Sequence, residues 1–311
     1  MDMNTAVLFS GQGSQRPGMM CDIFESYPEC KEIFSIARKE LNRDIYDLVS
    51  RSSQEELNKT VNTQPALLVC ELAVLRVLKT LGIVFDATAG FSLGEWTAIV
   101  AADAVSEADA IKLIAKRAEA MQNAVPVGQG AMAYVLGKED DYIERLCAET
   151  GVALANYNTY GNLTVAGTTE NIELFLKRAE AENIMAAKLP VSVPSHSPLM
   201  GPAVEALAPL IENMPVKEPL KALYMNAVGK QVNNMNEIKT CLIRQLTRPV
   251  MFRQLTEEML KNCDVFIEIG PSNTLCNMVK RTARNLKKPV KLYPVTCLAE
   301  LEKLAEDLGA N

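Results

Sequence analysis

The chain alternates short, wholly apolar runs with longer stretches in which apolar residues recur every three or four positions. Ala6 to Ser10 is a run of the first kind, and Gly11 stops it, which predicts a buried strand feeding a glycine-containing loop. From Thr63, with Pro65 in the first turn, QPALLVCELAVLRVLKTLG has helical spacing and ends at Gly82, so the pattern predicts a core helix capped by Thr63. The next stretch, IVFDATAG, suits a strand, and LGEWTAIVAA behind it is free of helix breakers. Ser106-Glu107-Ala108-Asp109 has the form of a capping box and opens a further helix with apolar residues at 111, 114, 115, 118 and 121. PVMFRQLTEEMLKN reads as a helix, and strands are expected at VFIEI, before Gly270-Pro271, and at VKLYPV. Strands alternating with helices in this way predict an α/β fold with a mainly parallel sheet.

Between Val125-Pro126 and Pro190 the order changes. AMAYVLG, VALANY, NLTVAG and IMAAKLP read as strands, with helices in DDYIERLCAET and ENIELFLKRAEAEN. The resulting β-α-β-β-α-β order is the split unit of a ferredoxin-like subdomain. Proline-containing segments bracket it, so residues 125–197 are expected to form an insertion into a larger subdomain built from 1–124 and 198–311.

Composition narrows the function classes. With 48% hydrophobic and 23% charged residues over 311 positions, the chain is neither disordered nor a coiled coil. Lys and Arg number 32 against 38 Asp and Glu, and this net charge of −6 argues against nucleic acid or an anionic membrane as partner. One stretch departs from that balance: VKRTARNLKKPVK, 279–291, has six cations and no acid. The eight cysteines are scattered without a C-x-x-C, and a single histidine accompanies them, so neither a disulfide framework nor a metal site is expected. The start lacks a basic segment followed by a long apolar one, and no later segment approaches ~18 apolar residues without charge, which predicts a cytoplasmic protein; a monomer is expected.

The candidate chemistry centres on Gly90-Phe91-Ser92-Leu93-Gly94. This G-x-S-x-G, between a predicted strand and a predicted helix, is the pattern that exposes a nucleophilic serine on a sharp turn. A serine hydroxyl is a weak nucleophile until a base takes its proton, and imidazole is the usual base near neutral pH. His196, in VPSHSPLM, is the chain's one histidine. Gly11-Gln12-Gly13-Ser14-Gln15 lacks the third glycine of a dinucleotide-binding loop, because Arg16 stands there; Gln12 suits instead a donor projecting from a strand end toward a developing oxyanion.

These motifs combine. GQGSQ, G-x-S-L-G-E, Arg117 in KRAEAM, GAM opening the middle segment, NYN at 156–158, VPSHSPLM, QLTRPV and IEIGP occur in the order found in malonyl-CoA:acyl carrier protein transacylases. The chain resembles that family over nearly its whole length. The resemblance implies an α/β-hydrolase-like large subdomain with a ferredoxin-like insertion. It also implies Ser92 as nucleophile, His196 as general base oriented by the backbone carbonyl of Gln245, and the N–H groups of Gln12 and Leu93 as oxyanion hole. Arg117 would hold the malonyl carboxylate, with Met121 and Asn158 also at the substrate. The implied partners are malonyl-CoA and the phosphopantetheine thiol of an acidic acyl carrier protein, with no metal or bound cofactor, in fatty acid or polyketide synthesis. Five positions depart from the family pattern. Phe91 stands where histidine is usual, NYNTYGN differs at Tyr160 and Asn162, Ser10 replaces a frequent proline and Trp96 a frequent tyrosine; these bear on acyl selectivity.

Two rivals are a serine esterase or thioesterase, and a catalytically idle module that only docks carrier protein. The first normally has its histidine near the carboxyl end and an HGGG-like loop, whereas 115 residues follow His196 here and no HGGG occurs.

Overall fold

The computed structural model describes residues 4–191 and 193–310. In chain order the strands are β1 (Thr5–Phe9), β2 (Ala87–Gly90), β3 (Gly130–Leu136), β4 (Ala153–Thr159), β5 (Asn162–Thr168), β6 (Met185–Lys188), β7 (Ala222–Met225), β8 (Lys230–Val232), β9 (Val265–Ile269) and β10 (Lys291–Val295). They form two sheets. The larger has the order β10-β9-β1-β2-β7-β8 and is parallel throughout except for the final β7–β8 pair. The smaller, β4-β5-β3-β6, is antiparallel throughout.

The apolar run at the amino terminus is continuous because β1 is covered on both faces. Val7 and Phe9 pack with helix Thr60–Thr80, while Ala6 and Leu8 pack with Phe252, Leu255 and Leu275 from helices Phe252–Met259 and Thr274–Asn285. Helix Thr60–Thr80 is long and apolar enough to cross a membrane, and 89% of its most apolar window is buried inside the protein. In the smaller sheet, helices Asp140–Thr150 and Thr169–Ala181 cover one face through Ile143, Leu146, Ile172 and Phe175.

The two sheets are joined at β4. Val250 donates to the Ala155 carbonyl at 2.8 Å and accepts from the Tyr157 N–H at 2.9 Å, so β4 is not left as an open edge. Next to this bridge Arg253 pairs with Asp140 at 2.5 Å, and its guanidinium lies 5.6 Å from the ring centre of Tyr157 and 4.9 Å from that of Tyr160.

Several boundaries differ from expectation for local reasons. The core helix begins at Thr60, with Lys59 rather than Thr63 at its cap. Thr63 is already inside, its hydroxyl donating to the carbonyls of Leu57 and Lys59 at 2.5 and 3.1 Å. IVFDATAG supplies strand only from Ala87. Ile83 closes the preceding helix by donating to the Leu78 carbonyl, and the Asp86 carboxylate accepts from the Thr5 N–H at 2.9 Å. The helix expected from Pro249 starts at Phe252, Val250 being used in the bridge to β4. Ser106 does cap its helix, accepting from the Asp109 N–H.

Candidate active site

Three neighbouring strands, β1, β2 and β7, end side by side, and the chain leaving each contributes to one cavity or to its wall: Gln12 after β1, Ser92 after β2, Asn226 after β7. Sites in parallel sheets form at this carboxyl edge. The cavity measures about 790 Å³; its lining includes Gln12, Ser92, Arg117, Met121, Asn156 and His196.

Both glycines of G-x-S-x-G are required by backbone contact. A Cβ on Gly90 would lie 2.0 Å from the Gly94 carbonyl carbon, and one on Gly94 would lie 2.1 Å from the Phe9 carbonyl oxygen. The turn they permit puts Ser92 at φ 51°. His196, at φ 60°, shares that uncommon left-handed conformation for a side-chain-bearing residue.

The serine hydroxyl meets His196 Nε2 at 2.8 Å, and His196 Nδ1 lies 2.8 Å from the main-chain oxygen of Gln245. A carbonyl only accepts, so Nδ1 carries the proton and Nε2 is left free to accept from Ser92. Burial, with Arg117 nearby, pushes the imidazole down to about 4 despite the opposing bond to Gln245. At neutral pH the ring is therefore uncharged. Among the described residues neither the Leu93 N–H nor the Gln12 N–H has an acceptor; the Gln12 side-chain oxygen accepts from the Thr60 hydroxyl at 2.9 Å.

Arg117 is 2% exposed. Its guanidinium donates to Gln64 Oε1 at 2.6 Å, Gln245 Oε1 at 2.9 Å and Ser92 Oγ at 3.2 Å, while Nε has no partner. Among the described residues it makes no salt bridge. Burial lowers it to about 10, which leaves it charged. A buried cation hydrogen-bonded only to neutral amides and a hydroxyl, with the Glu95 carboxyl acting on it at a distance, can take an anion at the wall of a cavity.

Of the positions singled out from sequence, Ser92, His196, Gln12, Arg117 and Met121 line the cavity, and Leu93 and Gln245 lie against its wall. Asn158 does not line it. Its amide donates to Asn162 Oδ1 and Thr164 Oγ1 within the β4–β5 hairpin, and Asn156, two residues earlier on the strand, faces the cavity instead. Sequence reasoning passed over Gln64, Asn226 and the Gln245 side chain, whose Nε2 donates to the Ser92 carbonyl at 2.8 Å. Glu95 had a signal, being the last residue of G-x-S-L-G-E; it is buried behind the turn, and burial raises its carboxyl to about 7. Among the described residues, no group of three or more His, Cys, Asp or Glu side chains is arranged to hold a metal ion.

Comparison with known proteins adds a family to this geometry. The model of the acyl transferase domain matches residues 7–303. The malonyl CoA-acyl carrier protein transacylase of Bacillus subtilis is 38% identical, with 97% of this chain and 98% of that protein covered. The solved structure of the same transacylase from Coxiella burnetii superimposes with a TM-score of 0.93 at 35% identity, covering 99% of this chain and 98% of that one. A malonyl-transacylase solved in complex with a type II polyketide acyl carrier protein superimposes with a TM-score of 0.93 at 34% identity, covering 98% of this chain and 99% of that one. The chain belongs to the malonyl CoA-acyl carrier protein transacylase family of acyl transferases.

Proposed function

We infer that the chain moves a malonyl group from malonyl-CoA to the phosphopantetheine thiol of an acyl carrier protein through an acyl-serine intermediate. One observation carries the substrate class: the buried guanidinium of Arg117, which makes no direct ion pair among the described residues and has the carboxyl of Glu95 acting on it only at a distance, stands 3.2 Å from the hydroxyl that an uncharged imidazole is placed to deprotonate. An acyl group ending in a carboxylate supplies a directly bonded counter-charge while its thioester lies at Ser92.

Ser92 Oγ attacks the thioester carbonyl as its proton passes to His196 Nε2. The oxyanion is met by the N–H groups of Leu93 and Gln12. The C–S bond breaks, and the departing CoA sulfur takes the proton from the imidazolium. In the second half the carrier thiol loses its proton to His196 and attacks the seryl ester; the serine oxygen then recovers that proton. Gln245 serves through two groups. Its carbonyl fixes the imidazole tautomer, and its side chain spans Arg117 and the Ser92 carbonyl.

In this reading residues 1–124 and 198–311 form an α/β-hydrolase-like catalytic subdomain and 125–197 a ferredoxin-like one. The β4-β5-β3-β6 order with two helices on one face supports the latter. Intact-mass analysis after brief exposure to a panel of acyl-CoAs tests the function. A malonyl adduct, lost on adding carrier protein and absent from Ser92→Ala, is expected. Free malonate accumulating without carrier acylation would make the protein a thioesterase, and no adduct with any acyl-CoA would leave it a docking module.

A further inference from the structure

Asn226 follows β7 and is fully buried. Its Oδ1 accepts from the Ser92 N–H at 2.7 Å, and its Nδ2 donates to the Gly90 carbonyl at 2.7 Å. Those two main-chain groups flank Phe91. In a parallel ladder, a residue on the neighbouring strand donates to the carbonyl before the residue it faces and accepts from the N–H after it. The main-chain register of β2 with β7 covers only Ala87–Ala222 and Thr88–Leu223. The carboxamide of Asn226 thus adds one further rung, built from a side chain, where β2 turns out of the sheet.

The rung is itself anchored. The Asn226 N–H donates to Glu95 Oε2 at 3.0 Å, and its carbonyl accepts from the Met251 N–H at 3.0 Å. Glu95 lies in the first turn of helix Gly94–Ala101, immediately past the serine, so strand, turn and helix are tied through one residue. The Ser92 N–H, used in this rung, is not available to a reacting oxygen, whereas the next N–H, that of Leu93, has no acceptor among the described residues.

We propose that Asn226 is a positioning residue: its carboxamide, anchored by Glu95, holds Ser92 in the left-handed conformation that aims Oγ at His196. The proposal rests on Ser92 being the nucleophile. Asn226 makes no hydrogen bond to His196 or Arg117, so it acts on the attack and not on the capture of the acyl carboxylate.

Single-turnover acylation by malonyl-CoA and labelling by a fluorophosphonate, in the wild type, Asn226→Ala and Asn226→Asp, test it. Asn226→Ala is expected to slow both reactions by ~10–100-fold, the cost of a small misplacement, with the malonyl-CoA concentration for half-saturation changed by less than ~3-fold. Asn226→Asp supplies a second readout should the alanine variant fold poorly. Ionised, the new carboxylate opposes the Gly90 carbonyl; protonated, it is an acceptor and a donor in the amide's own places. The labelling rate of Asn226→Asp relative to wild type should therefore rise as the pH is lowered. The other ionisable groups around the turn, Glu95, Arg117, His196 and Cys241, are common to both proteins. Labelling of Asn226→Ala within ~3-fold of wild type, or a wild-type to Asn226→Asp ratio that does not change with pH, would overturn the proposal. Failure of the wild type to label would instead overturn the assignment of Ser92.

Discussion

The guanidinium of Arg117 donates to the hydroxyl of Ser92 across 3.2 Å, although 25 residues and a change of element separate them. On the proposed function, carboxylate recognition and nucleophile are thereby adjacent, and substrate selection is separable from chemistry. Arg117→Ala should lower kcat/KM for malonyl-CoA by at least ~30-fold, about 2 kcal/mol, while that for acetyl-CoA changes far less. Equal losses with the two substrates would make Arg117 a structural residue.

As the proposed general base, His196 sets the acid limit of the reaction. Pushed down to about 4 by burial, it stays uncharged over the range where an ordinary histidine gains its proton. The acylation kcat/KM should hold from about pH 8 to about pH 5 and decline only below that. A break near the ordinary 6.5 would mean that the ring is solvated. The same shift affects stability. Between about 4 and 6.5 the unfolded chain binds the proton and the folded one does not, so this contribution is lost as pH falls through that window. His196→Ala should show a shallower loss in denaturant titrations across it.

Glu71 carries the opposite sign. It is buried beside Thr97, which donates to it at 2.5 Å, and burial raises its carboxyl well above the usual range. A raised group stabilises fully below its unfolded value and loses that contribution as pH rises toward its folded value. Glu71→Gln keeps a group able to accept from Thr97 and carries no charge, so its stability should decline less than wild type as the pH rises above the ordinary carboxyl range. Parallel curves would show that Glu71 ionises in the fold without cost.

The cationic stretch at 279–291 falls partly on helix Thr274–Asn285. There Lys280, Arg281 and Arg284 line a surface groove of about 600 Å³ that also includes Asn162 of the smaller sheet. Lys288 is tethered to the Leu260 carbonyl at 2.9 Å, so Arg281 and Arg284 are the better targets. Their joint reversal to glutamate should raise KM for an acidic carrier protein, more at low salt than at high, and leave KM for malonyl-CoA within ~2-fold. An unchanged carrier KM would place docking elsewhere.

The residues proposed as nucleophile, base and anion site were legible in the sequence because each lies in a local motif or, for histidine, is unique. Strand-helix alternation likewise predicted the parallel sheet, with β1 and β9 found where their apolar runs stand. What escaped depends on contacts between distant segments. Asn226 sits in LYMNAVG, which has no signature; its role exists only because β7 lies next to β2, 134 residues from Ser92 in sequence. Thr63 was misplaced as a cap because a threonine in a first turn can donate backward to a carbonyl as well as accept forward, and the pattern does not tell which. Asn158 and Asn156 are two apart on one strand, so the alternation gives both the same face, and the irregular register of β4 against β5 separates them.

Trp96 is the only tryptophan of the chain, 1% exposed, on the first turn of the helix that begins at Gly94. Its indole emission therefore arises from a single site on the helix that follows the serine, with the indole shielded from dissolved quenchers. A turn that shifts when the acyl group is attached and again when it leaves should change that emission twice in each catalytic cycle. The protein carries an intrinsic optical reporter of its own acylation, at a spot where an attached dye would disrupt the turn it was meant to watch.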